Sequence, residues 1–384
     1  MEISKELGTI KDLEYLIAIL HQKNISLILD LPLYPTNDLK VKLGPSTMDN
    51  SSYDSQDSSS YKHVRVERSM IDENMITNVI RFWLAKGVDG FYMKGLEDFA
   101  DDQYLGENMR EWKYVLGSDR IMIVNQSLIS SVPDELAEEL LQVIDLVDVF
   151  LDTSNGTQII ENQVIDVLNG KLKPSQNGPW IHWSINCVDH NSRVATGISP
   201  VASLAAVLME VMLPGTPSIF YGDEISMEQS HDPLQEHNGT KHLHHLPTMS
   251  FKDQSSFTSH KILPWLPKSA SVSYQHLLYV IDAISTRSKT PALYRNSVNK
   301  DGNEAHGNTH IRANHDDLLI IERTYPRHNT FVSVTNLGTE SLTVDISAFY
   351  YSGQLVIGTA KNTKVFFSNF KIKALETVII KLDK

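Results

Sequence analysis

Short apolar segments alternate with amphipathic ones along most of this chain, and that alternation limits the fold more than any other feature. Ser26–Leu31, Gly90–Lys94, Arg120–Val124, Leu146–Leu151, Trp180–Ile185 and Pro217–Tyr221 read as strands, and nearly continuous apolar runs such as Ser26–Leu31 are of the kind buried on both faces. Between them, helical spacing predicts helices over 71–86, 104–116, 133–142, 157–168 and 200–212. A further helix over 9–23, with Thr9 as N-cap and Asn24 as its end, precedes the first strand. Strands separated by helices form a parallel sheet through right-handed crossovers. The segment 87–94 shows the unit: Lys86-Gly87 closes a helix, Asp89-Gly90 turns, and a strand runs to Lys94.

The pattern changes twice. From Pro35 to Tyr61 the composition turns to Ser, Asp, Asn, Pro and Gly, a polar loop within about 35–65. Residues 223–270 are irregular and His-rich, and a helix over 272–289 follows. From about 305 the segments alternate as β-strands: Leu318–Arg323, Thr330–Asn336, Leu342–Ile346, Leu355–Gly358 and Val378–Leu382. The expected division is an α/β part over 1–304 and an antiparallel β-sandwich over 305–384.

Composition excludes several functions. A net charge of −13 argues against a surface that tracks nucleic-acid phosphates. One cysteine, Cys187, permits neither an internal disulfide nor a zinc site of thiolates, and it reads as a buried thiol at a strand end. No apolar run approaches the length of a membrane span, and Val201–Leu213, interrupted by Ser203 and Glu210, reads as a buried helix. The N-terminus lacks the pattern of a signal peptide. Sequons stand at Asn24, Asn50, Asn125, Asn155 and Asn238, weak signs of N-glycosylation. His237, His242, His244 and His245 lack carboxylates and regular spacing, so they read as a solvated loop rather than a metal site. No cofactor is implied.

Leu213-Pro214-Gly215-Thr216-Pro217-Ser218-Ile219-Phe220-Tyr221-Gly222-Asp223-Glu224-Ile225 looks like the eighth-strand segment of the α-amylase superfamily, glycoside hydrolase family 13. Pro264-Trp265-Leu266-Pro267 is similar to the insect-maltase-like branch, and the resemblance covers almost the whole chain. It implies a (β/α)8 barrel followed by a β-sandwich. Within the superfamily the chain most resembles the heavy subunits of heteromeric amino-acid transporters.

The resemblance also says where chemistry would lie, at the C-terminal ends of the strands. A retaining glycosidase there uses a nucleophilic carboxylate and a carboxylic acid about 5–5.5 Å apart. After the third strand Asp30 is kept, but the family's Asn-His pair reads Tyr34-Pro35. After the fourth, Gly90-Phe91-Tyr92-Met93-Lys94-Gly95 matches Gly-Phe-Arg-x-Asp-Ala, with Tyr92 for the arginine and Lys94 for the nucleophile. The acid glutamate falls at Asn125, and anchoring on Arg193 puts His190 at the third carboxylate, with Asp189 one position away. Lysine cannot form the glycosyl ester, and its charge opposes a cationic transition state.

Other roles for these residues are weaker readings. No motif in the sequence supports Lys94 as a Schiff-base amine, and Asp189, His190 and Ser192 are too close in sequence to face one another as a triad. Asp30, Arg193, Gly222, Asp223 and Glu224 read as retained architecture, with Asp223-Glu224 as loop structure rather than an acid–base pair. The resemblance implies a non-catalytic heavy subunit, or its ectodomain portion, on the extracellular face of the plasma membrane beside a multi-span light chain. An α-glucosidase using displaced carboxylates and a carbohydrate-binding pseudoenzyme are the alternatives. The match begins at the third strand, so the first two β/α units are expected to be missing, leaving an incomplete barrel of six strands with apolar edges at 26–31 and 217–221 and poor solubility when expressed alone.

Overall fold

The computed structural model describes residues 3, 8–33, 73–175, 178–187, 193–229, 246–247, 249, 273–300, 304–315 and 317–383. Among these, six parallel strands form one sheet in the order β1-β2-β3-β4-β5-β6, the arrangement of a partial (β/α)8 barrel. An antiparallel C-terminal β-region follows. The chain divides into two compact units, residues 1–144 and 145–384. The change of sequence pattern at about 305 falls inside the second.

The first unit opens with α1 (Ile10–Gln22), whose N-cap Thr9 exchanges bonds with Asp12 in a capping box. Lys23 is the C-cap and Asn24 takes a left-handed φ of +56°, which ends the helix. The next elements are β1 (Ile28–Pro32), α2 (Glu73–Leu84), β2 (Gly90–Lys94), α3 (Leu105–Leu116), β3 (Ile121–Asn125), α4 (Gln126–Ser131) and α5 (Asp134–Leu140). Contrary to expectation, β1 is not buried on both faces: Asp30 and Pro32 are exposed and the rest half-buried. The reason is its place at the edge of the sheet, with β2 its only ladder partner among the described residues.

Asp89-Gly90 is also not a turn. Gly90 is the first residue of β2, squeezed between neighbouring strands so that an added Cβ would lie 2.3 Å from the Ile121 carbonyl oxygen and 2.8 Å from Ile28 Cδ1. The Asp89 carboxylate accepts from the Leu27 N–H at 2.7 Å and lies 2.8 Å from His21 Nε2, tying the end of α1 to the approach of β1.

The second unit holds β4 (Leu146–Phe150), α6 (Thr157–Asn169), β5 (Trp180–Ser184), α7 (Val194–Gly197), α8 (Pro200–Met212), β6 (Thr216–Ser218), α9 (Tyr274–Lys289) and α10 (Pro291–Tyr294). A hairpin pairs β7 (Ser297–Lys300) with β8 (Glu304–Gly307). The strand expected to reach Tyr221 stops at Ser218. Beyond it the Tyr221 carbonyl accepts from Arg193 Nη2 at 2.5 Å, and Gly222 takes φ +87° to begin a short 3-10 turn, so the ladder cannot continue. Helix α8 is apolar all round and buried along ten of its residues.

The C-terminal strands are β9 (Thr309–His315), β10 (Leu318–Arg323), β11 (Phe331–Asn336), β12 (Leu342–Val344), β13 (Ser352–Ile357), β14 (Lys364–Phe366), β15 (Phe370–Ile372) and β16 (Glu376–Leu382). Six lie in the order β14-β13-β16-β11-β10-β9, and β12 pairs with β15. Leu318, Ile320, Val332, Val334, Phe370, Ile372 and Ile380 share one buried core between them. Successive residues of a strand point to opposite faces. The second face of β16 therefore meets α8, where Thr377 Oγ1 donates to the Ala205 carbonyl at 2.8 Å.

Replacing Gly90 with alanine should force β2 and β3 apart, since the obstacle is backbone and cannot rotate away. A loss on the order of 2–4 kcal/mol is expected in denaturant unfolding. Gly307→Ala, where an added Cβ meets nothing within 4 Å, should stay within about 0.5 kcal/mol and serves as the control.

Candidate functional site

A barrel presents its chemistry where strands end, so the side chains at those ends define the site. In the first unit, β2 ends on Lys94 and β3 on Asn125, both half-buried. Asn125 is also the N-cap of α4. Its Oδ1 accepts from the Ser127 N–H at 2.9 Å and from Ser127 Oγ at 2.7 Å, while Nδ2 donates to the half-buried Tyr92 hydroxyl at 3.4 Å. Tyr92 and Asn125 are therefore brought together, beside a strand that finishes in an amine. Asp30 lies exposed in the middle of β1.

In the second unit the residues of β4 and β5 alternate, except that Ser184 is buried as well as Trp183. Val147, Val149, Ile181 and Trp183 are buried on one face, and Trp183 Nε1 donates to the Pro214 carbonyl at 2.5 Å. The other face carries Asp148, with His182 Nδ1 at 3.3 Å and Ser184 Oγ donating to its Oδ1 at 3.0 Å. No motif in the sequence marked this trio; only the strand register Asp148↔His182 joins it.

Arg193 and Asp223, thirty residues apart, meet at 2.9 Å with both side chains fully buried. Asn186 Nδ2 donates to the second Asp223 oxygen at 2.7 Å, and Asn186 Oδ1 accepts from the Val194 N–H at 3.1 Å. The Arg193 guanidinium also lies 4.4 Å from the Phe220 ring centroid. The clamp fastens the start of α7 to the loop after β6. Gly222 resists a side chain there, because its φ of +87° is left-handed and an added Cβ would fall 2.9 Å from Met227 Cβ. Glu224 is half-buried. Asn186 and the Tyr221 carbonyl were missed by sequence reasoning, since a long-range hydrogen bond leaves no periodic trace. Asp223, buried with both oxygens engaged, offers no surface to a substrate.

Cys187 is half-buried and three residues beyond the end of β5, rather than a fully buried thiol. Asn24 and Asn155 are exposed, and Asn155 donates to Asp152 at 2.5 Å. Tyr34, Pro35, the polar loop at 35–65, Asn50, Asp189, His190, Ser192, Asn238, the four loop histidines and Pro264–Pro267 lie outside the described residues. Among the described residues no cluster of three His, Cys, Asp or Glu is placed to hold a metal, and no helix is long and apolar enough to cross a membrane.

Burial pushes the Asp223 carboxyl up to about 6, outweighing the donors of Asn186 and Arg193. Between about pH 4 and pH 6 the folded protein holds a proton there that the unfolded chain has released. This stabilising contribution is full below the unfolded value and lost as pH rises through about 6. Relative to Asp223→Asn, the native chain should lose on the order of 3 kcal/mol over that window and little beyond it. Urea unfolding of both proteins across pH 4–7 checks this, and parallel curves would contradict it.

No family profile matches the chain. It is 25% identical over 285 residues to the amino acid transporter heavy chain SLC3A2 of Oryctolagus cuniculus, covering 71% of this chain and 47% of that protein. It is 26% identical over 259 residues to Alpha-amylase 3 of Dictyoglomus thermophilum, covering 58% of this chain and 52% of that protein. The chain thus spans about half the length of the curated relatives it matches. Among solved structures, an alpha-amylase from H. orenii superposes with a TM-score of 0.63 at 14% identity, covering 100% of this chain and 85% of that one. These likenesses and the sheet order agree: the chain is related to the α-amylase superfamily and has its fold.

Proposed function

We propose that this chain is a non-catalytic, glycosidase-like portion of a heavy subunit that supports an amino-acid transporter light chain. The observation that carries the reading is Lys94, an amine closing β2 at the strand end where a glycosidase needs its nucleophile. A lysine there can neither attack the anomeric carbon as a carboxylate does nor favour a cationic transition state. Asn125 at the end of β3 supports the same reading, because an amide cannot protonate a leaving oxygen at neutral pH. His190 belongs to it as the third replaced carboxylate, and Tyr92, Tyr34 and Pro35 as further departures from the family pattern.

The reading extends to a barrel portion over 1–304, a sandwich over 305–384, N-glycans at exposed Asn24 and Asn155, and a place on the extracellular face of the plasma membrane. The likeness to a protein named as an amino acid transporter heavy chain supports the partner. Asp223 gives no support to a glycosidase with displaced carboxylates, since it is buried in its clamp.

Assays with maltose, sucrose and an aryl α-glucoside should show no turnover above buffer. Turnover abolished by Asp189→Asn would overturn the non-catalytic reading. In cells, the protein should co-purify with a multi-span transporter, and knockdown should lower that transporter at the surface. Unchanged surface levels would remove the heavy-subunit role.

A further inference from the structure

A cleft of about 590 Å³ opens within the second unit, at the N-terminal ends of β5 and β6. It lies at the strand ends opposite those where a barrel keeps its chemistry. Its walls come from α6, the start of β5, the approach to β6, the start of the β7 hairpin and the turn between β10 and β11.

The charge of its lining is unlike that of the chain. The whole molecule carries −13, yet among the described residues the cleft is bordered by two arginines, Arg295 and Arg327, and no carboxylate. Both are exposed, and neither guanidinium forms an ion pair among the described residues. Asn296 adds a donor: its Oδ1 accepts from the Gly215 N–H at 2.7 Å, so the amide nitrogen is what it has left to offer. Trp180 and Tyr325 bring an indole N–H and a phenol beside flat apolar surface. Trp180 is 47% exposed, a large aromatic left in water at the mouth of a strand.

The frame around these groups is rigid. Pro179, Pro214 and Pro326 have fixed φ and stand in the wall. The Arg295 carbonyl is held by Asn308 Nδ2 at 2.9 Å and Arg323 Nη2 at 2.6 Å. Arg327 keeps a left-handed φ of +64° in a turn closed by the His328 N–H to the Tyr325 carbonyl at 3.1 Å. That conformation is unfavourable for a non-glycine residue and is held by the turn around it. Such a preformed, donor-lined hollow with aromatic walls suits a ligand that is anionic at one end and flat and apolar at the other.

We propose that this cleft is a binding site for a small organic anion, a phosphate or carboxylate attached to a planar apolar group. It is independent of any chemistry at Lys94 and Asn125. Calorimetric titration of the full chain with phenyl phosphate, inorganic phosphate and phenol separates the parts. Phenyl phosphate should bind saturably, at one site, at least about tenfold more tightly than either of the others. The double variant Arg295→Ala, Arg327→Ala should lose at least about tenfold in affinity, and Trp180→Ala should reduce phenyl phosphate to the level of inorganic phosphate.

Thermal unfolding checks that each variant is folded. Should the alanine pair fail to fold, Arg295→Lys with Arg327→Lys takes its place and should weaken binding without abolishing it. Lack of saturable binding up to about 10 mM phenyl phosphate, equal affinity for phosphate or phenol, or affinity unchanged in the arginine variants would each overturn the proposal.

Discussion

Two buried guanidiniums at the carboxyl end of α8 hold residues 145–384 together. The last carbonyls of a helix have no partner within it, and α8 is too deeply buried for water to reach them. Arg287, from α9, donates to the carbonyls of Val211 at 2.5 Å, Leu213 at 2.9 Å and Gly215 at 2.5 Å. Arg323, from β10, donates to Met212 at 2.8 Å and Arg295 at 2.6 Å. Two cations at the negative end of a helix dipole, each with a planar fork, satisfy four carbonyls near the helix end and pull in two distant elements. A lysine has one nitrogen to offer and could not span them.

Burial lowers the pKa of both groups. Arg287 falls to about 10, tempered by Glu210, and Arg323 is lowered well below its ordinary value, burial acting first and the neighbouring Arg287 charge second. Glu210 moves the opposite way. Buried in the last turn of α8, its carboxyl is raised well above the ordinary range, and its Oε1 accepts from the Ser218 N–H at 2.5 Å at the end of β6. Removing any one member would leave a buried polar group without its partner, which costs more than the net worth of the bonds themselves. The same economy governs Arg193 and Asp223. Both clusters lock loops and helix ends to the sheet, and neither exposes a carboxylate oxygen to solvent.

This explains which parts of the structure were legible in the sequence. Elements with a repeating apolar pattern, such as α8 and β10, were found with correct limits or nearly so, because burial imposes the period. The polar strands β7 and β14 and the short β15 carry no such pattern and were missed. Ile219–Tyr221 looked like a continuation of β6, but the Tyr221 carbonyl is claimed by a buried arginine. Ser26–Leu31 reads as doubly buried from its apolar run and as an edge strand from its place first in the sheet; the edge position prevails and leaves Asp30 and Pro32 exposed. Glu210 read as a polar interruption of an apolar helix. Its use becomes visible only when the Ser218 amide is brought beneath it.

The strand ends obey a different rule. Lys94, Tyr92 and Asn125 stand at or near the ends of β2 and β3. Asn125 has structural work of its own. Asparagine ranks with aspartate and serine among the best helix N-caps, worth about 1 kcal/mol over a residue that cannot cap, and here its oxygen takes both the backbone and side-chain donors of Ser127. A glutamate kept as a proton donor has to hold its carboxyl free for a substrate, so it cannot also spend that oxygen on the first turn of α4. On the proposed reading, in which position 125 matches the glycosidase acid, the amide there gives the fold a helix cap where an acid would keep its carboxyl for a substrate.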